Sequence, residues 1–465
     1  MKKTRRRKVT IWSGIVILVI LLIAAGIGYY LTRKYSKEWN YWKDLPRSSK
    51  FLAFELELER LFHRVFPPAA VPERYAHVTA DVLENRMRLG ADWLLAMQEP
   101  AGRFQYWYNP VQNQFSSKSD DNFLRQAGTS FSLTLVYEMT GDSRYLDAAR
   151  RNLDYLMSFR ELLDSDKAYF LFDGKAKLGG IALPMLTMLE MRSLTGTEEY
   201  DENLKKLANM ILFLQDKYQT GQYKSTYVYR GDYEYEKSKG WESKIYPGEA
   251  LFALAGVYRA FRDDRYKQSM DRALQFYSHK RQWRKHAFLS WTISAFVSLY
   301  EQSPEPKYAD YVLLLSDHLL TQQNLDSDDQ VYGSFHGLPS VNTGSYMDGL
   351  ADAVYLTRLI GDQKRLSLYQ ERAKMGYRWL ILLQDTEADG SQLKRPEMGI
   401  GGFRANLFDA ELRIDNTQHA ISAFAKGLRF VFKRKPRLYL TNPLTCCKIH
   451  DKVAEDHGCR NLRDD

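Results

Sequence analysis

The chain has 465 residues and a formal net charge of +9, which would suit nucleic acid or an anionic surface if it were evenly spread. It is not: residues 1–37 hold nine basic residues and no acid, so the other 57 basic residues are balanced by 57 acidic ones. A neutral body gains nothing from counterion release on a phosphate backbone, which excludes nucleic acid as a partner.

Val9 to Thr32 carries no charge, and Ile11 to Leu31 is almost wholly apolar. About 20 apolar residues span a bilayer, so residues 11–31 are expected to form one transmembrane helix. The basic segment 1–10 places the N-terminus in the cytoplasm and the rest on the periplasmic, extracellular or luminal side. The rival is a cleavable signal peptide, whose apolar region runs to only about 7–15 residues. Residues 32–77 read as a stalk in which Phe51 to Phe66 is apolar at steps of three and four, a short amphipathic helix stopped by Pro67-Pro68.

From 78 to 432 the pattern becomes twelve helices joined by alternately short and long connections. Outer helices are expected at 78–99, 143–160, 197–216, 263–280, 306–323 and 363–384. Their partners, more apolar and richer in small residues, are expected at 121–140, 178–195, 247–262, 286–302, 344–360 and 415–431. Short turns such as Thr140-Gly141-Asp142-Ser143-Arg144-Tyr145 and Arg262-Asp263-Asp264-Arg265-Tyr266 end in a tyrosine about one hairpin after the last. A hairpin cannot bury its own apolar face, so the fold class is all-α: an (α/α)6 toroid of six helical hairpins, preceded by one transmembrane helix. Strict alternation puts every long loop on one rim, the natural place for function.

Each long loop is rich in aromatics. They hold Tyr106, Trp107 and Tyr108; Trp241 and Tyr246; Tyr332 and His336; Tyr346; and Phe403 with Arg404. Flat apolar rings beside amides and charges suit the axial C–H faces and the hydroxyls of a sugar, so the expected partner is a poly- or oligosaccharide. Acids cluster at the mouths of the inner helices: Asp120, Asp121, Glu242, Glu249, Asp348, Asp352, Asp409, Glu411 and Asp415. An acid in a first helical turn is commonly a cap or a dipole partner, the ordinary reading for Asp120, Asp121 and Asp415. Glu249, among apolar neighbours after Tyr246-Pro247-Gly248, suits a general acid or base, and Asp348 is expected at an equivalent mouth. Glu249, Asp348 and Asp415 are therefore the candidate catalytic carboxylates, and a facing pair implies glycoside hydrolysis.

A second constellation consists of Arg125, Arg404, Tyr246 and His419. An arginine on a uronate carboxylate acidifies the C5 proton for a base, leading to epimerisation or elimination. A glycan-binding scaffold without catalysis is the third alternative. No phosphate-cradling loop or nucleophile elbow occurs, and Cys446, Cys447, Cys459, His450 and His457 fit no zinc spacing, so neither cofactor nor metal is expected. Residues 433–465 lack apolar periodicity and read as a loose tail.

Six hairpins with their loops on one face resemble the six-hairpin glycosidase-like superfamily of hydrolases, lyases and epimerases. Gly240-Trp241-Glu242-Ser243, Gly248-Glu249-Ala250-Leu251, Tyr258 and Asp264-x-Tyr266 are similar to the C-terminal helical domain of glucuronyl C5-epimerases. This sequence has no counterpart of the β-rich region that accompanies that domain. The resemblance implies a carbohydrate substrate.

Overall fold

The computed structural model describes residues 72–216, 220–234, 245–278, 286–325, 331–335, 340–389 and 394–438. The expected transmembrane helix 11–31, the amphipathic helix 51–66, Trp241, Glu242, His336 and the cysteines of the tail lie outside the described residues. Among the described residues, no helix is long and apolar enough to cross a membrane.

Six outer helices appear as α1 (Ala80–Ala96), α3 (Ser143–Met157), α5 (Asp201–Asp216), α7 (Asp264–Ser278), α9 (Pro306–Leu320) and α11 (Gln363–Leu382). Six inner ones are α2 (Phe123–Thr140), α4 (Leu178–Thr195), α6 (Tyr246–Phe261), α8 (His286–Gln302), α10 (Asn342–Leu359) and α12 (Ile414–Lys426), the last running on as a π-helical turn, Gly427–Val431. Local chemistry sets the ends. Thr79 and Asn122 accept the N–H groups of Val82 and Arg125 at the starts of α1 and α2. Gly141, Gly196 and Gly361 take φ between +69° and +74° in three of the short turns, the left-handed bend that suits glycine after a helix.

Each inner helix packs on the next, and α12 returns to α2, so the inner ring is closed. Thr129 donates to the side-chain oxygen of Gln418 across this seam at 2.9 Å, with Gly128 leaving the space that Gln418 fills. The outer ring is tied by tyrosine hydroxyls. Tyr145 donates to Asp92 at 3.0 Å, Tyr308 to Asp271 at 2.7 Å, Tyr369 to Asp317 at 2.6 Å and Tyr75 to Glu371 at 2.9 Å. The turn tyrosines Tyr145, Tyr200, Tyr266 and Tyr308 are all buried, and two of them, Tyr145 and Tyr308, add such a bond.

A second repeated device locks the rim. Gln98, Gln215, Gln323 and Gln384 close outer helices, and each side-chain NH2 group donates to two carbonyls. One belongs to a glycine of its own loop: Gly102, Gly221, Gly333 or Gly401. The other belongs to a further outer helix: Ala148, Ser269, Arg372 or Arg86. The four glycines have φ of +89° to +101°, and a Cβ on any of them would lie 2.0–2.3 Å from a neighbouring carbonyl oxygen. Gly333→Ala is therefore expected to destabilise by at least about 2 kcal/mol, combining backbone strain with a steric clash; urea denaturation would measure it, and an unchanged midpoint would refute the lock.

Long loops share one rim, as the alternation requires. Three-residue β1 (Trp107–Asn109) pairs antiparallel with β2 (Gln114–Phe115) and with β8 (Leu412–Arg413), joining the first and last loops. β3 (Arg160–Leu162) and β4 (Ala168–Phe170) form a hairpin. β5 (Lys175–Lys177) pairs with β6 (Thr226–Tyr229), which pairs in turn with β7 (Asp232–Tyr233), joining the second and third loops. Val341 donates to the Ala405 carbonyl at 2.8 Å, joining the fifth to the sixth. Down the axis, Phe131 of α2, Phe252 of α6 and Trp291 of α8 meet with ring centroids 6.0–6.2 Å apart and close the passage below the mouth.

Candidate active site

The inner helices start at the rim, so the first-turn residues of α2, α6 and α12 converge on the mouth with positive dipole ends. Arg125 is the third residue of α2, Glu249 the fourth of α6, and Asp415 the second of α12. Arg125 Nε lies 3.1 Å from Asp415 Oδ2. On the other side Arg413 donates twice to the same carboxylate, at 2.9 and 2.5 Å. Burial alone would raise the Asp415 pKa, but Arg125 and Arg413 outweigh it and hold the acid down to about 2. Asp415 is ionised.

Glu249 has the opposite environment. It is 5% exposed, and its Oε2 has no hydrogen-bond partner among the described residues. Gly179 of α4 lies so close that a Cβ there would come within 2.2 Å of Oε2. Burial pushes its pKa up to about 8, with Arg125 pulling weakly the other way. At neutral pH Glu249 is protonated.

Arg125 is thus the common neighbour of a neutral and an ionised carboxyl group, and it keeps 40% of its side chain exposed. His419 lies one turn below Asp415. Lost hydration, with the Arg125 charge, holds it down to about 4 against the pull of Asp415, so it is a neutral imidazole. Tyr106 completes the group: the Arg413 guanidinium sits 5.2 Å from its ring centroid, and burial with the nearby Asp415 charge raises its pKa.

Asp348 is placed elsewhere. It is the seventh residue of α10, about 9 Å below the helix start at ~1.5 Å per residue, and accepts from Ser422 at 2.6 Å. Burial pushes its pKa up to about 7 against the pull of Lys426. Lys426 itself donates to Asp352 at 2.8 Å and to Ser294 at 3.2 Å. Expected at a mouth, Asp348 instead belongs to an axial ion cluster, because two helical turns separate it from the rim.

The aromatic residues divide. Tyr106 and Trp107 are partly exposed. Tyr108, Tyr332, Tyr346 and Phe403 are at most 2% exposed and pack loops, so they offer no face to a sugar. Tyr108 and Trp107 alternate on β1, one inward and one outward. Tyr332 lies under the guanidiniums of Arg74 and Arg378; Tyr346 packs on Phe335; Phe403 packs on Phe424. Tyr246, 1% exposed, forms a wall beside Gly179. Arg404 is held by Asp385 at 2.6 Å. Asp120 accepts from the backbone and hydroxyl of Ser117, and Asp121 from Tyr155 and Gln126, both 2.7 Å, the structural roles allowed for them. Arg413 was not singled out from sequence. Its signal is the spacing Arg413-x-Asp415, where a strand end meets a helix start and turns both side chains together.

No family model matches this sequence, and no curated protein matches it either. Solved structures do. An unsaturated glucuronyl hydrolase specific for heparin superposes with a TM-score of 0.55 at 10% identity over 77% of this chain and 99% of that one. The cellobiose 2-epimerase of Spirochaeta thermophila gives 0.52 at 14% identity over 79% and 99%. An inactive variant of an α-1,6-mannanase of Salegentibacter, in complex with α-1,6-mannotriose, gives 0.53 at 11% over 75% and 99%. At these identities the likeness is one of architecture: the described residues share the six-hairpin (α/α)6 toroid fold of these structures.

Proposed function

We propose that this protein is a carbohydrate-active enzyme that hydrolyses glycosidic bonds of a poly- or oligosaccharide, with Glu249 as proton donor and Asp415 as its anionic partner. The observation that carries the reading is the contrast at the mouth: one carboxyl group kept neutral by burial, one kept ionised by two arginines, both beside Arg125. Carboxyl groups pushed apart in this way divide the labour of acid and anion in glycoside cleavage. Glu249 would protonate the leaving oxygen, while Asp415 would stabilise positive charge at the sugar carbon or orient water. The sugar-acting neighbours of the same fold support the substrate class. The apolar segment 11–31 would tether the enzyme to a membrane, with the toroid on the exported side.

A second reading is proton abstraction from a uronate, as in an epimerase or lyase, favoured by a neutral His419 beside Arg125. A pH–rate profile separates the two. Hydrolysis needs Glu249 protonated and Asp415 ionised, so kcat/KM is expected to stay flat through the acid range and fall as pH rises past about 8. A His419 base is neutral only above about 4, so its rate rises through that value and persists into alkali. Asp415→Asn is expected to lower kcat at least about 100-fold, within the range of a lost charge-stabilising group. New reducing ends without an ultraviolet-absorbing product identify hydrolysis; unsaturated product or full activity at pH 10 refutes it.

A further inference from the structure

Two guanidiniums share one carboxylate at the mouth, Arg413 through two hydrogen bonds and Arg125 through Nε alone. Arg125 keeps 40% of its side chain exposed, so its tie to Asp415 competes with water and with its own rotamer freedom. The two cations, held by one anion, also repel each other. Both meet a third residue, Tyr106 of the first loop.

The Arg413 guanidinium lies 5.2 Å from the Tyr106 ring centroid, and Arg125 hydrogen-bonds the Tyr106 hydroxyl. A phenol offers one cation its electron-rich face and another its oxygen. The main chain of Tyr106 is fixed on both sides. Its N–H donates to Ser116 Oγ at 2.9 Å, and its carbonyl accepts from the N–H of Ile414 at 3.0 Å. Ile414 stands between Arg413 and Asp415 and opens α12, so this bond satisfies one of the donors that a helix start leaves over. Tyr106 is thereby locked to the turn that carries the carboxylate, while its side chain reaches the two cations that hold it.

We propose that Tyr106 is a positioning residue and not a sugar platform: it aims Arg125 and Arg413 at Asp415 and so keeps the anion of the reaction centre in place. This inference rests on the mouth being a hydrolytic centre. The side chain can be tested apart from the fold, because both main-chain bonds survive its replacement and the residue is partly exposed. The charged and titratable groups around Asp415 are Arg125 of α2, Arg413 and Glu411 ahead of α12, His419 within it, and Tyr106. Replacing Tyr106 leaves every one of those charges present.

Kinetics on the full-length protein test it, with whichever of α-1,6-mannotetraose, cellotetraose and tetragalacturonic acid the wild type cleaves. Tyr106→Phe keeps the ring on Arg413 and frees Arg125, whereas Tyr106→Leu frees both. KM is expected to change less than about threefold, while kcat falls about tenfold in Tyr106→Phe and about 100-fold in Tyr106→Leu, as for a misaimed group. Asp415 is held down to about 2 in the wild type, and weaker support from the arginines raises it. The acid limb of kcat/KM should therefore move up by at least about one pH unit in Tyr106→Leu and by less in Tyr106→Phe. Urea denaturation gives a second readout that needs no turnover: the losses in Tyr106→Leu and Asp415→Asn should not add, since the tyrosine acts through arginines that the carboxylate also holds. Additive losses, or a defect confined to KM with the acid limb unmoved, overturn the positioning role and leave the hydrolase reading standing. If the wild type cleaves none of the three, the hydrolase reading falls for these chains, and the denaturation cycle still decides whether Tyr106 acts on Asp415.

Discussion

Glu249→Gln is expected to abolish turnover and, at the same time, to make the protein more stable at neutral pH. The two effects share one cause. Glu249 has an ordinary pKa of 4.5 when exposed and about 8 when folded, because its carboxyl is buried and Oε2 lacks a hydrogen-bond partner among the described residues. A folded-state pKa above the unfolded one means the native state holds the proton more tightly. Stability is then fully present below pH 4.5 and is lost progressively as pH rises through 8. At pH 7 the penalty is about 3 kcal/mol at ~1.4 kcal/mol per pH unit. Glutamine keeps the shape and removes the ionisation, so the variant should gain up to about 3 kcal/mol at pH 7 and almost nothing at pH 4. Catalysis should fall at least about 1,000-fold, since an amide donates no proton to a leaving oxygen. Urea denaturation at both pH values, with an activity assay, would check this. Equal stability of the two proteins at pH 7 would show that Glu249 is solvated or paired, and the acid–anion division at the mouth would fall with it.

Lys426→Met is the second substitution with a large expected effect, in the opposite direction. Lys426 is 8% exposed and ends α12 below the aromatic closure, with its ammonium 2.8 Å from Asp352 and 5.4 Å from the Phe252 ring centroid. Asp348 feels the same positive charge. Removing the cation leaves buried acid without compensation, which costs about 3–5 kcal/mol, whereas replacing both partners of such a pair by neutral groups is close to harmless. Lys426→Met is thus expected to lose about 3–5 kcal/mol, and Lys426→Met with Asp352→Asn to recover most of it. The non-additivity of that cycle is the measurement that counts. If the double variant is as unstable as the single one, Lys426 contributes packing and not charge.

Much of the toroid was legible in the sequence because its signals are local and repeated. The α8 range matched residue for residue, since an apolar run between polar turns has one helical solution. Short turns were legible through glycine and tyrosine. The glutamine and glycine locks were not, although the four loops share Gly-x-Phe or Gly-x-Tyr: Gln98 and Gly102 lie close in sequence, but Gln384 and Gly401 are separated by a long insertion that hides the period. Glu249 was legible from its apolar neighbours. Asp348 was misplaced because helical pattern shows which residues share a face but not how far down the axis a side chain sits. Tyr108 and Phe403 were read as sugar platforms because aromatic composition cannot distinguish a ring that faces solvent from one that pins a loop. Arg413 required the pairing of β8 with β1, a contact between the two ends of the domain.

That last contact belongs to a seam. Gln384 reaches the Arg86 carbonyl, Thr129 reaches Gln418, and Tyr75 reaches Glu371, each across nearly 300 residues of chain. A ring of this kind cannot mature piecemeal during synthesis. The first hairpin must wait with an uncovered flank until the twelfth helix arrives, so joining distant partners sets the pace of acquiring native structure. The mouth straddles the same seam, with Arg125 supplied by the second helix and Asp415 by the last. A chain that stops short of closure therefore lacks the pairing of Arg125 with Asp415.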